Sequence, residues 1–165
     1  MFQAVYYFEA DSLDKALQGD GNNLGFLEIR EEDGMTDAAN LAHYYAGASF
    51  LKKGEYISAI DHLNKFSASD LFIQARTYAL IGDANMELGN TAEAVTYYMK
   101  AADYNPNEYT TPAYLIKAAI ANELLEDYES AFDCYNTIVK EYVNSSEYQN
   151  ARKQKARLES KVNAG

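Results

Sequence analysis

Small and large apolar residues alternate with polar ones along this chain at the spacing of amphipathic helices, and one short pattern returns three times. Each copy contains the end of one helical pattern, a turn, and the start of a second helical pattern. Aligned on Ala59, Ala94 and Ala131, the copies lie 35 and 37 residues apart. This period predicts antiparallel helix pairs repeated along the chain, because each pair must cover its apolar face with a neighbour.

The turns of the three copies differ in one informative residue. Gly54 and Gly89 stand where the first helix ends, and glycine enters the left-handed conformation there without a Cβ clash. Glu126 occupies the same position in the third copy. We therefore expect the third turn to close differently or to carry backbone strain.

These segments resemble the tetratricopeptide repeat family, whose unit has about 34 residues and small residues at fixed helix contacts. The second copy is the most similar, with Gly82, Ala94, Tyr98 and Pro106 at positions of the family pattern. The resemblance implies an all-α fold, a right-handed α-α superhelix (solenoid) of antiparallel helix pairs.

The resemblance also predicts how one domain, 1–165, is organised. Residues 1–39 are expected to form a partial or atypical first repeat whose first helix begins before Met1, so that an upstream segment is missing from this sequence. A polar insertion is expected within that repeat. The predicted boundaries are 18–23 for the insertion, 40–74, 75–111 and 112–146 for the full repeats, and 147–162 for a capping helix.

The first helices of stacked repeats line a concave face in this family, which implies a groove for a peptide or helix of a partner protein. Chaperone-binding members clamp a terminal carboxylate there, but only Lys117 is basic among the corresponding positions of this chain. An apolar, tyrosine-rich floor instead favours a hydrophobic or helical segment. The predicted groove residues are Leu41, Tyr44, Tyr45, Ala48, Leu51, Lys52, Arg76, Leu80, Asp83, Met86, Glu87, Ile116, Lys117, Ile120 and Glu123.

The implied function is a non-enzymatic protein–protein interaction module, an adaptor or scaffold that needs no cofactor. The alternative is a structural homo-oligomerisation domain without a separate peptide ligand. Few repeats leave apolar end faces that favour self-association, so a homodimer is the partner on this alternative.

Charge narrows the classes of partner. The chain has 25 acidic and 14 basic side chains, a formal net charge of −11, which disfavours binding to nucleic acid. The charge is uneven, at −14 over residues 1–146 (23 acidic, 9 basic) and +3 over 147–165 (2 acidic, 5 basic). No apolar run approaches the roughly 18 residues of a membrane span, so direct membrane insertion by this segment is not expected.

Candidate metal and nucleophile positions are few. Residues 20–31 follow the spacing of a calcium loop from Asp20 to Glu31, but Leu24 stands where an oxygen ligand is required. A plain polar insertion is therefore the expectation, with a calcium-regulated module as a further alternative. His43 and His62 are expected to be core or surface histidines rather than metal ligands, and Cys134 is expected to be a buried, inert thiol.

A second resemblance concerns the compartment. Tyr135, Ile138, Tyr142 and Ser145 are spaced as in repeat modules of bacterial envelope proteins, namely the Tol–Pal-associated and outer-membrane-assembly families. Val143 replaces the proline usual in those modules. The sequence is compatible with the cytoplasm and with the bacterial envelope, there as the soluble part of a longer chain.

Overall fold

The computed structural model describes residues 1–33 and 36–162, and the described residues are helical with short connections. The predicted all-α class of helical repeats is confirmed. In chain order the helices are α1 (Phe2–Glu9), α2 (Leu13–Gln18), α3 (Phe26–Asp33), α4 (Asp37–Lys53), α5 (Tyr56–Lys65), α6 (Leu71–Glu87), α7 (Thr91–Tyr104), α8 (Thr111–Leu124), α9 (Tyr128–Glu141) and α10 (Tyr148–Val162).

The chain divides into two compact units, Met1–Ser69 and Asp70–Gly165. The first unit contains α1 to α5, and Leu17, Phe26 and Ile29 lie in its core. The second unit contains α6 to α10, in which each helix packs against the next one along the chain. Its core includes residues of α7, α8, α9 and α10: Ala94, Tyr98, Leu115, Ala119, Tyr135, Ile138 and Leu158.

Each helix pair is closed by a turn residue with a left-handed backbone. The φ angles are 57° at Asp11, 79° at Gly54, 77° at Gly89 and 60° at Glu126. Glycine adopts this conformation freely, whereas a residue with a Cβ adopts it at a steric cost. Glu126 thus has the left-handed backbone from which strain is expected. Asp11 shows that α1 and α2 are joined by the same kind of turn as the pairs α4–α5, α6–α7 and α8–α9.

The same pair of backbone hydrogen bonds closes each of these four turns. Between α4 and α5, the Gly54 N–H donates to the Leu51 carbonyl at 3.1 Å and the Glu55 N–H donates to the Phe50 carbonyl at 2.9 Å. Equivalent bonds close the turns between α1 and α2, α6 and α7, and α8 and α9. These bonds satisfy carbonyls that the end of a helix otherwise leaves unpaired, and they fix where the second helix begins.

A buried alanine lies five residues after each turn. Ala16, Ala59, Ala94 and Ala131 each have a solvent exposure of 0%. A methyl side chain at this point lets the second helix approach the first closely. The three alanines used to align the sequence copies therefore mark equivalent helix contacts, and Ala16 adds a fourth.

The first helix of two pairs contributes a glycine to the close approach. A Cβ at Gly47 would lie 2.6 Å from Cγ of Leu63, and a Cβ at Gly82 would lie 2.6 Å from Cε1 of Tyr98. Ala119 holds the equivalent position in α8 and is fully buried. The large side chain on the second helix thus packs over the small one on the first.

Replacing Glu126 with glycine should raise the free energy of unfolding by about 0.5–1 kcal/mol, because the left-handed strain disappears while the turn is kept. The urea unfolding midpoint measures this change. Gly89→Glu is the matched control in the opposite direction. A Cβ at Gly89 meets no atom within 4 Å, so this change should destabilise through backbone strain alone. An unchanged or lower midpoint for Glu126→Gly would contradict the proposed strain.

Candidate protein-binding surface

In the first unit, the predicted groove residues lie on α4, where Tyr45 packs into the unit itself. Its ring stacks on Phe26 at a centroid distance of 5.2 Å and an interplanar angle of 10°. The ring of Phe8 meets it edge-on at 5.4 Å. Such ring pairs stabilise a core beyond the area they bury. Tyr45 therefore joins α4 to α1 and α3.

The neighbours of Tyr45 on α4 also have contacts inside the first unit. Tyr44 lies 5.4 Å from the rings of both Tyr45 and Phe66. The Lys52 ammonium lies 2.6 Å from a carboxylate oxygen of Asp11. Of the remaining predicted positions on α4, Ala48 is buried, whereas Leu41 and Leu51 are half-buried.

In the second unit, Asp83 of α6 and Lys117 of α8 form an ion pair. The Lys117 ammonium lies 2.5 and 2.8 Å from the two carboxylate oxygens. The Tyr98 hydroxyl of α7 donates to the same carboxylate at 2.8 Å. Burial, followed by this hydrogen bond to Asp83, raises the pKa of Tyr98 above its ordinary value. Tyr98, Asp83 and Lys117 thus form a triad that links α6 to α8, the first helices of two successive pairs, and to α7, the helix between them.

A second triad repeats this arrangement one helix pair later. The Tyr135 hydroxyl of α9 donates to Oε1 of Glu123 at 2.9 Å, and the Arg157 guanidinium of α10 donates to Oε2 of Glu123. Burial is the largest cause that raises the pKa of Tyr135, and Glu123 adds to it. Arg157 was not among the predicted groove residues. The sequence offered one indirect signal for the second triad, namely that Tyr135 holds the position in its helix pair that Tyr98 holds in the preceding one.

Beside the second triad lies a cavity of about 380 Å³ between α8 and α10, which we name the α8–α10 pocket. Ile120 and Leu124 line it with exposures of 49% and 63%, which is high for large apolar side chains. Two of the predicted groove residues, Ile120 and Glu123, therefore share one cavity. Its lining is Ile120, Glu123, Leu124, Tyr135, Asn150, Gln154 and Arg157.

The remaining predicted groove residues of the second unit differ in their solvent exposure. Arg76 and Glu87 are exposed. Leu80, Met86 and Ile116 are half-buried, and Met86 and Ile116 pack against the core of α7 to α10.

The candidate metal and thiol positions have structural contacts. The rings of His43 and His62 lie 5.4 Å apart, and His62 is buried. Within the described residues, no group of three or more His, Cys, Asp or Glu side chains is placed to hold a metal ion. Cys134 is buried as expected, and burial is the main cause that raises the pKa of its thiol to about 11.

The Asp20 carboxylate accepts hydrogen bonds from within the polar insertion and from α1. It accepts hydrogen bonds from the Tyr7 hydroxyl at 2.6 Å and from the backbone N–H groups of Asn22 and Asn23 at 2.9 and 2.7 Å. The Tyr7 bond is the largest cause that lowers the pKa of Asp20. The side chain of Glu31, at the other end of the candidate calcium loop, lies outside the described residues.

The helices of the described chain are all too short or too polar to cross a lipid bilayer.

Comparison with known proteins identifies the repeats. Two tetratricopeptide repeat models match residues 75–108 and 113–145. The chain is 30% identical over 143 residues to a TPR repeat-containing protein of Methanocaldococcus jannaschii. The match covers 84% of this chain and 22% of that relative, so the chain spans about a fifth of its length. No solved structure matches the chain.

From the ring contacts of Tyr45 we predict that this side chain stabilises the fold of the first unit. Tyr45→Ala should lower the free energy of unfolding by about 2–4 kcal/mol, because the stacked and edge-on ring contacts are lost. Tyr109→Ala is the control, since that ring is 88% exposed and its loss should leave stability nearly unchanged. Urea unfolding of both variants measures the difference. Equal midpoints would show that Tyr45 is a surface residue available to a partner.

Proposed function

Because the chain carries tetratricopeptide repeats, which are generally protein–protein interaction modules, we propose that it is a non-enzymatic adaptor. It holds an apolar peptide or helix of another protein against the first helices of its repeats. The contact surface in the second unit is the exposed face of α8 together with the α8–α10 pocket.

One observation carries this proposal, namely a stripe of large apolar side chains on α8. Ile116, Ile120 and Leu124 are spaced four residues apart and share one face of the helix. The stripe becomes more exposed towards its end, from half-buried Ile116 to Leu124. A helix or apolar segment docked there would bury these side chains and gain hydrophobic stabilisation.

The two triads determine which kind of segment suits this surface. Lys117 and Arg157 are held by Asp83 and Glu123, so their charges are neutralised in place. A terminal carboxylate of a partner would have to compete with these acidic side chains. An apolar or amphipathic segment needs no such competition, and hydrogen-bonding groups at its edges can meet Asn150 and Gln154 of the α8–α10 pocket.

The alternative, a structural homo-oligomerisation domain, is favoured by a second apolar feature. Phe2 and Tyr6 of α1 lie four residues apart with exposures of 88% and 58%. A copy of the chain that covered these rings would remove them from water. The mass of the protein in solution as a function of its concentration distinguishes this alternative from an adaptor that binds another protein as a monomer.

The double substitution Ile120→Asp and Leu124→Asp tests the proposal. Both side chains are exposed, so the fold should be kept while the apolar stripe is lost. A partner captured from an extract of the source cells, purified and titrated by calorimetry, should bind this variant at least about tenfold more weakly, as expected at a binding hot spot.

The matched control is Tyr109→Asp with Val143→Asp. These residues are also exposed and apolar, the added charge is the same, and neither lines the α8–α10 pocket. The control should bind the partner like the unmodified chain. Equal weakening in both double variants would contradict the proposed surface. Recovery of the chain alone, with a mass that rises with concentration, would favour homo-oligomerisation.

A further inference from the structure

A second cavity of the second unit lies on another side of α8. It has a volume of about 490 Å³ and is formed by α7, α8 and α9; we name it the α7–α9 pocket. Its α8 residues are Leu115 and Asn122, whereas the apolar stripe begins at Ile116. At 3.6 residues per turn these two sets point about 150° apart around the helix axis. The α7–α9 pocket is therefore separate from the surface of the proposed function.

The floor of the α7–α9 pocket is apolar and polarisable. Val95 and Met99 come from α7, Leu115 from α8 and Cys134 from α9. The Cys134 and Met99 sulfur atoms lie 3.9 Å apart. Sulfur-containing side chains adapt to the shape of an inserted group, so this floor suits an aliphatic chain. The volume falls in the range of ligand pockets, roughly 300–1,000 Å³.

The rim of the same pocket is acidic. Asp103 of α7, Asp127 at the N-cap of α9 and Asp133 of α9 line it, and no Lys, Arg or His does so among the described residues. Asp127 is engaged in capping α9, since it accepts hydrogen bonds from the backbone N–H and the hydroxyl of Ser130. All three carboxylates act on the Cys134 thiol and raise its pKa further, although burial is the main cause. The three carboxylates and this thiol therefore line the same pocket.

Uncharged polar side chains also line the pocket, namely Asn122, Ser130 and Thr137. A pocket that combines apolar side chains with carboxylates is complementary to a side chain with an aliphatic stem and a cationic end. Lys and Arg have this build, and they bury their stems along apolar surface while the charge stays at the rim. The net charge of −11 attracts such a segment from solution and repels an acidic one. In the described part of the chain, Asp103 and Asp133 form no ion pair that would have to be broken first.

We propose that the α7–α9 pocket binds a segment of a partner protein in which Arg or Lys side chains alternate with apolar residues. The aliphatic stems and apolar side chains lie on Val95, Met99 and Leu115, and the cationic ends meet Asp103 and Asp133. This site goes beyond the adaptor surface on α8, because it lies on another side of that helix and also includes residues of α7 and α9.

Methionine methyl groups report on the α7–α9 pocket and provide an internal control in the same sample. The chain has four methionines; Met99 lies in the floor of the α7–α9 pocket, and Met86 lies on α6 outside it. With ¹³C-methyl methionine, an acetylated and amidated peptide of alternating Leu and Arg is titrated into the full chain. We expect a saturable shift of the Met99 methyl signal, no shift of Met86, and no response to the same peptide with Glu in place of Arg.

Charge variants show whether the carboxylates of the rim are responsible. Asp103→Asn with Asp133→Asn should weaken binding of the Leu–Arg peptide by about tenfold. Glu93→Gln with Glu129→Gln is the control. It removes the same charge from exposed positions on the same two helices, outside the pocket, and should weaken binding by less than about twofold.

Three results would overturn the proposal. Equal weakening in the two double variants would mean that the peptide is attracted only by the overall charge. A response of Met86 without Met99 would place the peptide elsewhere. A shift of Met99 by the polyamine spermidine at the same concentration and of the same size would identify the ligand as a small cation rather than a protein segment.

Discussion

The two helices of every repeat meet at an alanine that has no solvent exposure, and the rest of the structure depends on this contact. Ala59, Ala94 and Ala131 lie five residues after the turn in the helix pairs α4–α5, α6–α7 and α8–α9, and Ala16 holds the same place in the pair α1–α2. Since these alanines are fully buried between helices, a larger side chain there should force the helices apart. The turn fixes the residue at which the second helix begins, and the alanine contact fixes how closely that helix packs against the first. Together they set the register of the two helices.

The register of the paired helices determines where the two triads form in the second unit. With the helices close together, Tyr98 and Tyr135 cross over to Asp83 and Glu123 on the preceding first helix. Asp83 then holds Lys117 of α8, and Glu123 holds Arg157 of α10. Partly exposed ion pairs of this kind contribute little stability alone, but a hydrogen-bonded triad fixes side-chain positions. The helix α8 contributes a residue to each triad, Lys117 and Glu123, and also carries the apolar stripe.

Much of this fold could be predicted from the sequence because its determinants are local. The recurrent alanine, the glycine of the turn and the strain at Glu126 depend on residues near each other in the chain. The packing role of Tyr45 could not be predicted, since it depends on how Phe8 and Phe26 approach α4. Arg157 was missed for a related reason. Whether Arg157 reaches Glu123 depends on which face of α10 packs against the preceding helices, and no short sequence motif encodes that orientation.

The most direct test of the account is the unfolding free energy of Ala94→Leu beside that of Ala92→Leu. Both changes add the same side chain to α7, but Ala94 is fully buried at the helix contact and Ala92 is exposed. We predict that Ala94→Leu loses about 1–3 kcal/mol by overpacking. Ala92→Leu should stay within about 0.5 kcal/mol of the unmodified chain. Equal unfolding free energies for the two variants would contradict the claim that the buried alanine sets the approach of the helices.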